Sequence, residues 1–407
     1  NITEYGGNGA MKWGAKRIEE ICSKVVSGGT PKSTNPAFYY PEEVPWLKTG
    51  EVNYCRIYNT ETYISKEGLT RSNAKIIPEN SVIVAMYGQG DTAGRVAINK
   101  IPLCTNQACC NLIINHDIAD YEYVYFVLSA LYDKLVSLKN GGAQPNLNVG
   151  IIKSIEIPFP DLETQHRIAS ILAAYDDLVE NNQRQIRLLE EAAQRLYKEW
   201  FVDLRFPGYE NVKIVNGVPE GWKKGVLGDV AKNVGRNEKK EHCEKYLYYL
   251  PIDCLPKKSL AYTEYNDVSM AKSSLISFKP NDILFGAMRP YFHKVVIARD
   301  EGLTRNTCFV INSRESGYWS FLTMLLFAED TINFATRISV GTTMPYVRWK
   351  DFIQMPILIP TKSISCEFEK QFILISNKLT KLARQNIILL QAQRRLLPKL
   401  MSGELEV

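Results

Sequence analysis

The sequence is poor in the features that announce most enzymes and most membrane proteins. No window of about 18 consecutive apolar residues occurs, so no membrane-spanning helix is expected. The start, "NITEYGGNGAMKWG", has no charged segment leading into an apolar one, and therefore no visible secretory signal. Histidines number four (His116, His166, His242, His293); they are scattered, none beside a nucleophile–acid set, which removes the common hydrolase constellations. The nine cysteines are odd in number and lack framework spacing, as expected of a reducing cytoplasm. Cys104, Cys109, Cys110 and His116 come closest to a metal set. They contain no C-x-x-C pair and sit in the apolar run "ACCNLII", so buried thiols and no metal are expected. The excess of one sign of charge is also small: a net +5 permits nucleic-acid binding without demanding it. "GGTPKS" ends like a phosphate loop, but Pro31 stands where the glycine before the lysine is required.

A length of 407 residues with 45% hydrophobic and 23% charged residues implies two or three globular domains. The residues before Met11 are read as a leader outside the fold. The rest is a repeat. "PNLNVGIIKSIEIPFP" (145–160) returns as "PYVRWKDFIQMPILIP" (345–360). Upstream, Trp13, Ile18, Ile21 and Val25 match Trp222, Leu227, Val230 and Val234, and "PENSVIVAMYGQG" matches "KPNDILFGAMRPY". Short strands such as 82–86, 96–98, 283–285 and 295–298, with helical stretches at 121–139 and 318–338, predict mixed α/β (α+β) modules. The segments are 11–160, a first globular domain; 161–204, a long helix; 205–221, a linker with Pro207-Gly208, Asn216-Gly217 and Pro219 as turn signals; 222–360, a second domain; and 361–407, a second long helix.

Both long helices carry heptads. In the first, Ile168, Leu172, Tyr175, Val179, Asn182, Ile186, Leu189, Ala193, Leu196 and Trp200 alternate spacings of four and three. In the second the seam includes Ile375, Leu379, Leu382, Asn386, Leu389 and Leu396. This spacing predicts an antiparallel intramolecular coiled coil with a pseudo-two-fold arrangement, in which Asn182 and Asn386 set the register. The rise from Ile168 to Trp200 is roughly 50 Å, about fifteen base pairs of duplex. "PDLET" at 160–164 reads as the cap of the first helix.

No catalytic set survives. "NPAF" (35–38) is close to the Asn-Pro-Pro-aromatic motif of amino-methyltransferases, but Ala37 replaces a proline and no Gly-rich cofactor loop accompanies it. Polar loops do suit base and phosphate recognition, since Asn and Gln pair with adenine and Arg with guanine. In the first domain they offer Gln89, Asp91, Thr92 and Arg95, then Gln144, Asn146 and Asn148. In the second they offer Arg236, Lys239 and Lys240, then Arg289, Tyr291, His293 and Lys294. Lys32, Thr343 and Arg348 complete the candidate DNA contacts.

The unit order, with "SGGTPKS", "VPWLKTGEVN", "GAQPNLN…IPFPDLETQHRIASIL" and the ending "RRLLPKLMSGELEV", resembles the specificity subunit of type I restriction-modification systems. The resemblance spans nearly all of 11–407 and is looser in the second domain, where "MRPYFHK" replaces the Gly-rich "YGQG". It implies two target-recognition domains, each reading half of a bipartite asymmetric DNA site. It also implies a coiled coil that sets the spacer and docks two methyltransferase subunits, and no catalysis by this chain. S-adenosylmethionine would belong to those partners, and ATP and Mg to a restriction/translocase subunit. A coiled-coil scaffold that binds proteins without DNA specificity is the alternative reading of the same pattern.

Overall fold

The computed structural model describes residues 13–139, 145–272 and 274–407. The chain forms two compact units, one comprising residues through Asp177 with Gln391–Val407, the other Leu178–Leu390. These bounds cut across the sequence segments. Each unit takes one globular part plus a stretch of both long helices, because the helix side chains pack into the globular cores.

In the first unit, Gly14–Arg17 pairs antiparallel with Glu156–Phe159, closing the domain where the chain enters and leaves it. A single helical turn, Ile18–Ile21, buries both isoleucines. A five-stranded sheet follows in the order Cys22–Ser27, Cys109–Ile114, Val82–Ala85, Val96–Asn99, Cys55–Ile57. Its strand Val82–Ala85 is wholly apolar because both faces are covered. Val82 and Val84 face the core that contains helix Tyr121–Ala130, and Ile83 and Ala85 face a second core with Leu47, Ile77 and Leu103. A smaller sheet runs Tyr63–Ile64, Val44–Leu47, Leu103–Thr105, Ile76–Ile77. Cys104, Cys109 and Cys110 fall in three different cores, so they do not converge; burial pushes the Cys104 and Cys110 thiols up to about 11 and about 12.

The second unit repeats this plan. Lys223–Val226 pairs with Pro356–Ile359, and the turn Leu227–Val230 follows. The main sheet has the same order without the fifth strand: Ala231–Asn233, Cys308–Ser313, Ile283–Gly286, Val295–Ile297. In the smaller sheet the equivalent core is Tyr248–Tyr249 parallel to Gly302–Arg305, then Leu275–Phe278. The outer strand differs: Tyr63–Ile64 pairs with Val44–Leu47 in the first unit, whereas Arg236–Glu238 joins the opposite edge in the second. The helical stretches break in two, giving Tyr121–Ala130 and Tyr132–Ser137, and Trp319–Phe327 and Glu329–Ile338. Asn216-Gly217 is the two-residue turn of a hairpin between Ile214–Val215 and Val218–Pro219, both residues having positive φ.

The first long helix spans Leu162–Tyr197, and Asp161 caps it by accepting the Thr164 N–H at 2.8 Å. The second spans Lys362–Ser402. The two run antiparallel in each unit. In the second unit Asn182 donates to Asn386 at 2.9 Å, and the Trp200 and Phe368 rings lie 5.7 Å apart. In the first unit Gln393 donates to the Leu172 carbonyl and to Asp176 at 3.2 and 2.6 Å. Of the seam residues, Ile168, Leu172, Val179, Asn182, Ile186, Leu379, Leu382 and Asn386 are buried, while Tyr175, Leu189, Leu196, Ile375, Leu389 and Leu396 are half-buried. The first helix departs from its heptads at the end. A π turn, Lys198–Val202, brings Phe201 inward beside Trp200, where Phe201 meets Phe321 and Phe368, each at 4.9 Å.

Candidate nucleic-acid interface

Each unit builds the same loop pair. In the first, the turn between Val82–Ala85 and Val96–Asn99 carries Gln89, Asp91 and Arg95, and Leu147 N–H donates to the Met86 carbonyl at 3.0 Å. The exit segment is thereby held against the base of the hairpin loop. Gln89 is exposed, and half-buried Arg95 donates to Asn53 Oδ1 at 2.9 Å. Asn146 is half-buried on the exit segment. Lys32 is exposed on a loop whose Gly29 N–H donates to Thr105 O at 2.9 Å and whose Gly29 carbonyl accepts from Trp46 Nε1 at 2.9 Å.

In the second unit Val347 N–H donates to the Ala287 carbonyl at 2.9 Å, the counterpart of the Leu147 bond. Arg289 N–H donates to the Pro345 carbonyl at 2.7 Å, and its guanidinium donates to Thr343 O at 3.3 Å. Arg289 (φ 50°) and His293 (φ 52°) both adopt left-handed backbone, costly for non-glycine residues and sustained here by these bonds. The resulting rigid tip exposes Tyr291, Thr343 and Met344, with Arg348 alongside at the start of helix Trp349–Phe352. Arg236, Lys239 and Lys240 are exposed on and after the edge strand and make no ion pair among the described residues. Neighbouring Lys245 is occupied: with Tyr246 and His242 it holds Glu238, whose carboxyl is lowered to about 2 by those hydrogen bonds.

Several sequence-level candidates have other roles. Thr92 is buried and its hydroxyl donates to the Gln89 carbonyl at 2.6 Å, so it shapes the loop. Asn148 caps helix Val149–Lys153 by accepting the Ile151 N–H at 3.0 Å. Lys294 is drawn inward: its ammonium donates to the Ile252 carbonyl at 2.7 Å, and burial pulls its pKa down. His293 is buried between Glu329 at 3.1 Å and the Phe327 carbonyl at 3.0 Å. In each case a local polar partner captured a group that the sequence left free. Gln144 lies outside the described residues. The sequence did not reveal Asn53 as the brace of Arg95 or Met344 as part of the second tip, since both pairings depend on strand order.

A family model, the type I restriction modification DNA specificity domain, matches residues 11–191. The MjaIX type I restriction enzyme specificity subunit of Methanocaldococcus jannaschii is 28% identical, with 97% of this chain and 94% of that protein covered. The EcoR124I/EcoR124II specificity subunit of Escherichia coli is 28% identical over 49% of this chain and 48% of its own length. Among solved structures, the type I restriction-modification S subunit from M. genitalium superposes with a TM-score of 0.57 at 15% identity, covering 97% of each chain, which is a likeness of fold. Duplicated loop pairs, antiparallel helices and a relative matched over nearly its whole length agree, and the chain is similar along most of its length to specificity subunits of type I restriction-modification systems.

Proposed function

We propose that this chain is the non-catalytic DNA-recognition subunit of a type I restriction-modification complex, acting in the cytoplasm. The duplicated loop pair carries the reading: two equivalent tips, one polar with Gln89 and Arg95, one aromatic and basic with Tyr291, Arg289 and Arg348, suit two different half-sites. The long helices hold the spacing between the half-sites. Their outward apolar residues, Leu178, Leu188, Leu374 and Ile388, are 51–72% exposed and offer contact surface for two methyltransferase subunits. S-adenosylmethionine is assigned to those subunits, and ATP and Mg to a restriction/translocase partner.

The test is reconstitution. The chain alone should bind duplex with salt-dependent affinity and transfer no methyl group. Adding its methyltransferase subunit should restore modification, and methylome sequencing should report a bipartite motif. Gln89→Ala with Arg95→Ala should then relax one half of that motif, and Arg289→Ala the other, by about 1–3 kcal/mol per lost base contact. Methylation by the chain alone, or uniform loss across all sequences, would defeat this reading.

A further inference from the structure

Glu190 is a carboxylate on the inner side of the first long helix, only 4% exposed. The seam does not require it: it lies beside Leu189, and the repeat places a leucine, Leu390, at the matching point of the second helix. Burying a carboxylate is costly unless its oxygens are bonded. Here Oε1 accepts from Ser259 Oγ at 2.7 Å and from the Leu260 N–H at 2.7 Å. Both donors belong to the segment that braces the recognition loop. Leu260 O accepts the Ile297 N–H at 3.0 Å, and Lys258 N–H donates to the His293 carbonyl at 2.8 Å. His293 is the left-handed residue that closes the turn bearing Arg289 and Tyr291, and Glu329 and the Phe327 carbonyl hold its imidazole.

We infer that Glu190 is a positioning residue for DNA specificity: it ties the Tyr291 loop to the long helix through Ser259, Leu260 and the Lys258–His293 bond. The inference rests on the DNA-recognition reading above. The first unit uses another device: its helix residue Asp177 bonds Arg56 on strand Cys55–Ile57, which also bonds Glu122 at 3.2 Å. That tie belongs to the first unit and involves none of Glu190, Ser259 and Leu260. Loss of Glu190 should therefore affect only the half-site read by the second unit.

The experiment uses the full chain assembled with its methyltransferase subunits and duplexes carrying single base-pair changes across both half-sites. Glu190→Leu, the residue the repeat uses, should flatten discrimination in the second half about tenfold and leave the first half unchanged. Glu190→Gln keeps an acceptor oxygen and should stay within about threefold of wild type; Ser259→Ala, which removes one bond, should fall between them. Unchanged second-half discrimination in Glu190→Leu, equal loss in both halves, or a Gln variant as impaired as Leu would overturn the assignment. If the Leu variant does not fold, Ser259→Ala decides: full retention of second-half discrimination overturns it. A wild-type complex that discriminates at neither half-site would instead defeat the DNA-recognition reading itself, and this inference with it.

Discussion

A methyl group added to Gly28 would lie 2.2 Å from the Asn106 carbonyl oxygen and 2.3 Å from that of Thr105, and one on Gly29 would meet the Asn73–Ala74 backbone at 2.2–2.4 Å. The two glycines of "SGGTPKS" are therefore a site of close backbone approach, with exposed Lys32 three residues on. Gly28→Ala should destabilise the first unit by more than about 2 kcal/mol, seen as a lower urea midpoint. Glu190 gives the second prediction at this scale. Burial raises its pKa from 4.5 to about 7, against the opposing effect of the Ser259 and Leu260 bonds. The folded form thus keeps a proton that the unfolded chain releases between about pH 4.5 and 7. Stability contributed at this site is present below that window and declines as pH rises through it. Glu190→Gln cannot lose that proton. It should match wild type near pH 4.5 and exceed it at pH 8 by up to about 3 kcal/mol, measured as unfolding free energy across pH.

Among elements, the seam holds a buried polar layer, Asn182 against Asn386, in which the Asn386 Nδ2 has no acceptor among the described residues. A buried amide pair of this kind fixes register at some cost in stability. Asn386→Leu alone strands the Asn182 amide and should cost about 1–3 kcal/mol; adding Asn182→Leu should recover that loss or more, because two leucines need no partners. Denaturant titration of the two single variants and the double variant separates the layer's coupling from mere burial. A double variant weaker than either single one would show that the amide pair is itself the larger stabilising term.

For the whole molecule, both long helices run through both units, so their length is the quantity expected to set the spacer. Removing seven residues from each, 178–184 and 385–391, keeps both heptad seams in phase. It takes out the two asparagines together and leaves Asp177, Glu190 and Arg384 in place. The helices shorten by about 10 Å, roughly three base pairs, which also turns one half-site by about 100° around the duplex. The assembled variant should abandon the native motif for one with a shorter spacer, read out by methylome sequencing. Retention of the original spacer would show that the helices do not measure it.

Much of this was legible from residues alone, because repeats and heptads are periodic signals that tertiary context amplifies. The paired 145–160 and 345–360 stretches, the cap at Asp161 and the seam through Asn182 all follow from spacing and side-chain chemistry. What spacing cannot supply is which polar groups find partners across the fold. Thr92, Asn148, His293 and Lys294 looked like free recognition groups, and each is captured by a neighbour that strand order or a local cap brings within 3.1 Å. The π turn that brings Phe201 into the aromatic cluster breaks the heptad that would have put it outside. Glu190 was invisible for the same reason. A carboxylate beside a heptad seam reads as a solvated flank until the fold carries Ser259 and Leu260, some seventy positions away in the chain, onto its oxygen. The sequence by itself determined the repeat, the helices and their register, since these depend on local period. Only the tertiary structure decided which polar side chains are captured by neighbours and which stay exposed on the loops, because that depends on desolvation and hydrogen-bond competition between residues distant in the chain.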